Sequence, residues 1–129
     1  MKIKVLSLMF LLLGFTSCLK NQADSVQVLD VATYEKKMTQ PDVQLVDVRT
    51  PEEFSQGHIE NAVNIDFMAD DFDAKVANLD KEKPVMVYCK SGGRSAKASA
   101  RLKELGFKTI TDLEGGITNW TSEEKPTVK

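Results

Sequence analysis

Two stretches of this chain carry apolar side chains on nearly every residue instead of every second one: "VQLVDV" (43–48) and "VMVYC" (85–89). A strand with one wet face alternates apolar and polar residues. A near-continuous run fits a strand covered on both faces, as in a parallel sheet. Parallel neighbours must be joined by long crossovers, usually helices, and the intervening sequence supplies them. "VATYEKKMTQ" (31–40) predicts a helix closed by Pro41. Thr50 is a natural N-cap, Pro51 suits the first helical position, and Glu52 and Glu53 complement the dipole. "DDFDAKVANL" puts Phe72, Val76 and Leu79 on one face, and Ser95 to Leu105 is small enough at Ala96, Ala98 and Ala100 to pack closely on a sheet. Gly106 caps that helix, with Phe107 beyond it. "VQVLD" (26–30), "AVNID" (62–66) and "KTITDL" (108–113) complete the strands, and "GITNW" (116–120) is a final short helix. The alternation predicts an α/β domain with a parallel sheet covered on both faces. In such sheets the site lies outside the carboxyl ends of the strands, where Cys89, Asp47 and Val48 are expected.

The 129 residues suffice for one domain, and a formal charge of −2 with no basic block argues against nucleic acid as a partner. The first residues stand apart. Lys2 and Lys4 precede an apolar run from Val5 to Phe15, too short to span a bilayer and suited to a signal-peptide core. It ends in "GFTSC", which resembles a bacterial lipoprotein signal: residues 1–17 would be removed and Cys18 would carry the acyl chains. An ordinary secretory signal is the alternative. Residues 18–25 would then be the lipidated cysteine and a polar tether, and 26–129 the domain, held at the cell envelope on the periplasmic or outer surface. With Cys18 lipidated, Cys89 is alone, so neither an internal disulfide nor a CxxC dithiol mechanism is open to it. One histidine and one free cysteine fall short of a zinc site, and no metal or organic cofactor is expected.

The stretch "MVYCKSGGRS" (86–95) sets a cysteine between a strand, a glycine-containing loop and a helix start. Backbone N–H groups of Lys90, Ser91, Gly92, Gly93, Arg94 and Ser95 can converge on one point, where the helix dipole adds positive potential. Gly92 and Gly93 allow positive φ and keep Cβ atoms out of the bowl. A thiol there should ionise more easily than free cysteine, and Lys90, Arg94 and Lys97 would push the same way. The alternative is a buried structural cysteine before a plain turn.

Three blocks, "LVDVRTPEEFSQGHIENAVNID", "VMVYCKSGGRSAKASARLKELGF" and "DLEGGITNW", together resemble a single-domain rhodanese over most of residues 26–121. The resemblance implies a three-layer α/β/α fold on a parallel central sheet. It also implies sulfur transfer: Cys89 takes sulfane sulfur from a donor such as thiosulfate, polysulfide or a small persulfide and passes it to a thiol or cyanide. Such a protein needs a small-molecule donor and acceptor and is expected to be a monomer. A sulfur carrier or anion- or partner-binding module without turnover is the alternative. Related dual-specificity phosphatases of the cell cycle have five residues between nucleophilic cysteine and arginine; Cys89 and Arg94 are separated by four, a smaller bowl that opposes a phosphatase or arsenate reductase.

Asn61 stands where the family usually has glycine. Ser91 stands where thiosulfate-specific members have a cation, and Glu52 and Glu53 occupy a helix that can supply another, so efficient use of thiosulfate is not expected. In the family's motif Asp47 and Arg49 are mainly structural, the arginine pairing with a nearby carboxylate such as Glu53. His58, in the "GHI" turn, packs and hydrogen-bonds. Trp120 is a core or rim residue, and Arg94 faces the donor's anionic group.

Overall fold

The computed structural model describes residues 26–129. The expected signal (1–17), Cys18 and the tether (19–25) lie outside the described residues. Five strands alternate with five helices: β1 (Gln27–Leu29), α1 (Val31–Met38), β2 (Gln44–Asp47), α2 (Pro51–Gln56), β3 (Val63–Asn64), α3 (Phe72–Val76), β4 (Val85–Tyr88), α4 (Gly93–Glu104), β5 (Ile110–Leu113) and α5 (Gly116–Ser122). The sheet order is β1-β5-β4-β2-β3, and every pairing is parallel.

The continuous apolar runs have their physical explanation in β4. Val85, Met86, Val87 and Tyr88 are each fully buried, because alternate residues enter two separate cores. Val85, Val87 and Cys89 join Val46 and Val48 under α3 (Phe72, Val76) and α4 (Ala98, Leu102). Met86 and Tyr88 join Leu45 and Leu113 under α1 (Val31, Tyr34) and α5 (Ile117, Trp120). Each fully buried valine or leucine side chain contributes about 1.5–3 kcal/mol, which is why β4 carries no charged residue on either face. The three-layer α/β/α arrangement follows.

Local signals set the helix ends. Thr50 caps α2 in a reciprocal capping box: its Oγ1 accepts from Glu53 N at 3.2 Å, while Glu53 Oε1 accepts from Thr50 N at 3.4 Å. Helix α4 starts two residues before the expected Ser95 and ends in a Schellman motif. Phe107 N donates to Leu102 O and Gly106 N to Lys103 O, with Gly106 at φ +94°. Asn61 has φ +70°, a left-handed position that asparagine tolerates better than most non-glycine residues, which explains how it replaces the family's glycine.

Candidate active site

Parallel register brings the carboxyl ends of β2 and β4 side by side, with Asp47 opposite Tyr88. Cys89 follows directly, 1 % exposed, at the floor of the loop 90–95. Its Sγ accepts from Gly92 N at 3.1 Å and donates to Ser95 Oγ at 3.3 Å. Gly92 holds φ +114° to aim that amide inward. Gly93 does not take a positive φ, in correction of the expectation for both glycines; it opens α4, and a Cβ there would meet nothing within 4 Å.

Burial pushes the Cys89 thiol up, yet it lies below its ordinary value. The Ser95 hydroxyl and the N–H groups of Ser95, Gly92 and Ser91 outweigh the desolvation. Hydrogen bonds are the main causes of the lowering, and of the three cations expected to push the same way Arg94 interacts with the sulfur. Lys90 and Lys97 are exposed. The Arg94 guanidinium does feel the sulfur, but both ends of its fork are engaged elsewhere: Nη1 donates to Glu53 Oε1 at 2.6 Å and Nη2 to Oε2 at 2.9 Å. Arg94 thus ties the loop to the cap of α2 instead of presenting a free cation to a donor. Its hydrogen bonds are the main reason the Glu53 carboxyl falls to about 2.

The expected Arg49–Glu53 pair is therefore replaced by two others. Arg49 pairs with Asp47, two residues back: Nε donates to Oδ1 at 3.0 Å and Nη2 to Oδ2 at 2.7 Å, with the backbone N of Arg49 on Oδ1 at 2.9 Å. The chain turns at the end of β2, so the side chains of these residues fold back on each other more easily than Arg49 reaches along α2. Nη2 also reaches Gly57 O at 2.7 Å, and Asn64 Nδ2 binds the carbonyls of Asp47 and Arg49. Both side chains are buried, and the pair is a tie between β2, β3 and the turn at Gly57. His58 stacks on Phe54 with centroids 3.7 Å apart, its Nδ1 is 2.9 Å from Phe54 O, and its backbone bridges to Val128. It packs, as expected. Trp120 is buried, with Nε1 donating to Pro126 O.

Two features escaped the sequence reading. Gly116 has φ +61°, and a Cβ there would lie 2.5 Å from the carbonyl oxygens of both Cys89 and Lys90. This close approach lets Ile117 N donate to Cys89 O and Thr118 N to Lys90 O, so α5 docks end-on against the loop. The adjacent pair Gly115–Gly116 after a strand was the available signal. The second is Asp112, buried at 4 % exposure on β5, which the strand pattern alone did not distinguish from its neighbours. Beside the loop, a cleft of about 330 Å³ opens between Arg49, Glu53, Lys90, Thr118 and Thr121.

The family model described as a rhodanese-like domain matches residues 30–123. A protein of Allochromatium vinosum named sulfurtransferase is 37 % identical over 87 residues, covering 67 % of this chain and 79 % of that protein. The crystal structure of a rhodanese-related protein from Thermoplasma volcanium superposes with a TM-score of 0.70 at 33 % identity, over 79 % of this chain and 97 % of that one. The solution structure of a polysulfide-sulfur transferase homodimer from Wolinella succinogenes gives a TM-score of 0.67 at 36 % identity, over 82 % of this chain and 80 % of that one. With a five-stranded parallel sheet between helical layers and a cysteine loop at its carboxyl edge, the chain belongs to the rhodanese-like family.

Proposed function

We propose that this protein is a sulfurtransferase that carries sulfane sulfur as a persulfide on Cys89. The observation that carries the reading is the sulfur at the floor of an N–H bowl, with hydrogen bonds that favour its anion despite burial. The thiolate attacks the outer sulfur of a donor; the donor's S–S bond breaks, and the leaving group departs with the electron pair. The new terminal sulfur is an anion, and the first-turn amides of α4, which have no carbonyl one turn back, are the natural donors to it. An acceptor thiolate or cyanide then takes the outer sulfur and releases the Cys89 thiolate. No metal or organic cofactor enters these steps.

The engagement of Arg94 by Glu53 bears on the donor. With both ends of the guanidinium fork taken, the bowl offers mainly N–H groups, which suit the compact terminal sulfur of a polysulfide or small persulfide better than the sulfonate end of thiosulfate. The four-residue spacing between Cys89 and Arg94 speaks against phosphate. We further propose, from the sequence of residues 1–18, that the protein is exported and anchored through lipid at Cys18.

The decisive test is sulfur uptake. Protein treated with polysulfide should gain the mass of one sulfur atom at Cys89 and lose it to cyanide, with ping-pong kinetics; Cys89→Ser should do neither while remaining folded. Uptake without release would make the protein a carrier. No uptake from polysulfide, glutathione persulfide or thiosulfate would refute the chemistry.

A further inference from the structure

Lys90 follows Cys89 directly in the chain; its side chain is exposed and enters no ion pair among the described residues. It lines the cleft of about 330 Å³ beside the loop. The other charges on that lining are met inside the fold, Arg49 by Asp47 and Glu53 by Arg94. These pairs cancel, so Lys90 leaves the cleft with a positive surplus in a chain whose formal charge is −2. A local positive charge on a negatively charged protein draws anions to that place.

The walls of the cleft are tied to the nucleophile and to the core. Ile117 N donates to Cys89 O at 2.9 Å and Thr118 N to Lys90 O at 3.0 Å, so the α5 wall is bonded to the peptide segment that carries the sulfur. Another wall is the C-terminal segment around Thr127. Paired hydrogen bonds between the backbones of His58 and Val128, each 2.9 Å, hold it on one side, and Trp120 Nε1 on Pro126 O holds it on the other. Gln56, Thr118 and Thr127 bring exposed polar groups to the lining, and Ile117 an apolar one. The volume lies at the small end of ligand pockets, which run from about 300 to 1,000 Å³. It suits the body of a small molecule and not a folded partner.

We propose that this cleft seats the body of a low-molecular-weight thiol that carries a carboxylate, with Lys90 as the residue that selects it. The inference rests on Cys89 carrying the persulfide. A thiol amino acid or short thiol peptide has the needed parts: a sulfur for the bowl, a carboxylate for the Lys90 ammonium, and amide groups for Gln56 and the hydroxyls of Thr118 and Thr127. In the transfer step the acceptor thiolate attacks the outer sulfur. A new S–S bond forms, the bond to Cys89 Sγ breaks with its electron pair returning to Cys89, and the acceptor leaves as a persulfide. In reverse, the same seat takes an organic persulfide as donor. An inorganic polysulfide has no body to place there, so the cleft sets the organic partner apart from the inorganic one. The contacts of Sγ are Gly92 N and Ser95 Oγ; Lys90 acts on the body and holds it alike before and during transfer, so it governs half-saturation and not the limiting rate.

The test uses the full chain and matched probes that differ only in a terminal carboxylate or carboxamide. In one arm, protein loaded with sulfur by polysulfide and freed of excess is mixed with mercaptoacetylglycine or its amide, and loss of sulfur from Cys89 is followed by mass spectrometry. In the other, unloaded Cys89 is alkylated with iodoacetylglycine or its amide, each rate normalised to that with free 2-mercaptoethanol. Wild type should favour the carboxylate in both arms. Lys90→Ala should reduce that preference about three- to tenfold, through the concentration at half-saturation, while the amides react as before. Lys90→Arg should keep most of the preference, and about 0.5 M salt should erase most of it. Lys103→Ala, which removes the same charge at the far end of α4, should leave it unchanged. Thr118→Trp, which fills the cleft from α5, should abolish it with Lys90 still in place. Equal rates for carboxylate and amide in wild type, a Lys90→Ala that slows both alike, or a preference that survives Thr118→Trp overturns the proposal. The alkylation arm moves no sulfur. A preference that depends on Lys90 in a protein that never takes up sulfur would sink the transfer reaction and not the cleft, whereas sulfur uptake and release without that preference would sink the cleft alone.

Discussion

Replacing Glu53 by glutamine should weaken the domain and widen its choice of donor at once. The side chain has two tasks: it closes the capping box of α2 with Thr50, and it holds both ends of the Arg94 fork. Glutamine can keep the first but loses the charge for the second. A carboxyl lowered from 4.5 to about 2 corresponds to about 3 kcal/mol at 1.36 kcal/mol per pKa unit. Both partners remain 27–28 % exposed, so solvent screening reduces the realistic loss to about 1–2 kcal/mol. The pH dependence identifies the cause. A depressed carboxyl stabilises the fold above its unfolded value and loses that contribution as pH falls through its folded value, here from about 4.5 toward about 2. Urea unfolding of wild type and Glu53→Gln should therefore differ by about 1–2 kcal/mol at pH 7 and by roughly half of that at pH 3. The released guanidinium can also meet a sulfonate, and a new charge-assisted hydrogen bond of about 1.5–2 kcal/mol would raise kcat/KM for thiosulfate about tenfold or more relative to polysulfide. A stability gap that stays constant between pH 7 and pH 3 would refute the ion-pair argument. Unchanged donor preference would show that Arg94 stays turned away even when free.

The two glycine positions of the site should behave in opposite ways. Gly116→Ala drives a Cβ to 2.5 Å from two backbone carbonyls at φ +61° and should cost more than about 2 kcal/mol and detach α5 from the loop, whereas Gly93→Ala enters open space on α4 and should leave thermal stability unchanged or slightly raised; equal midpoints for both variants would contradict this. Cys18→Ala should remove the acyl mass and shift the protein from the detergent phase to the aqueous phase, since firm anchoring needs more than one chain; a wild type that is already soluble and unmodified would end the anchoring proposal.

What the sequence made legible follows from the range over which each signal acts. The Thr50–Pro51–Glu53 cap, the Gly106–Phe107 stop and the strands within 43–48 and 85–89, buried over Leu45–Val48 and Val85–Tyr88, are local, and each formed close to where the residues placed it. The cysteine loop was legible for the same reason, because strand, loop and helix start are contiguous. Side-chain partnerships across the fold were not. Glu53 and Arg94 lie 41 residues apart, and nothing in the pattern of either segment says that α2 points its cap at the loop. Arg49 was expected to meet a nearby carboxylate such as Glu53; its partner is Asp47, two residues back, because the turn at the end of β2 decides which carboxylate it meets. Asp112 read as an ordinary residue of "TITDL"; its burial depends on which sheet face it occupies and on which helix covers that face.

All five strands run in the same direction, and that gives the domain two distinct poles. Cys89 lies at the pole where strands end; β1 enters at the pole where strands begin. Val26, the first described residue, therefore lies at the pole opposite the sulfur. If, as proposed, Cys18 carries a lipid anchor, attachment through this pole would leave the mouth of the bowl free to face the aqueous compartment. Soluble donors and acceptors could then meet Cys89 without having to enter a gap between protein and membrane, and a partner protein could dock over the bowl while the anchor stays in place.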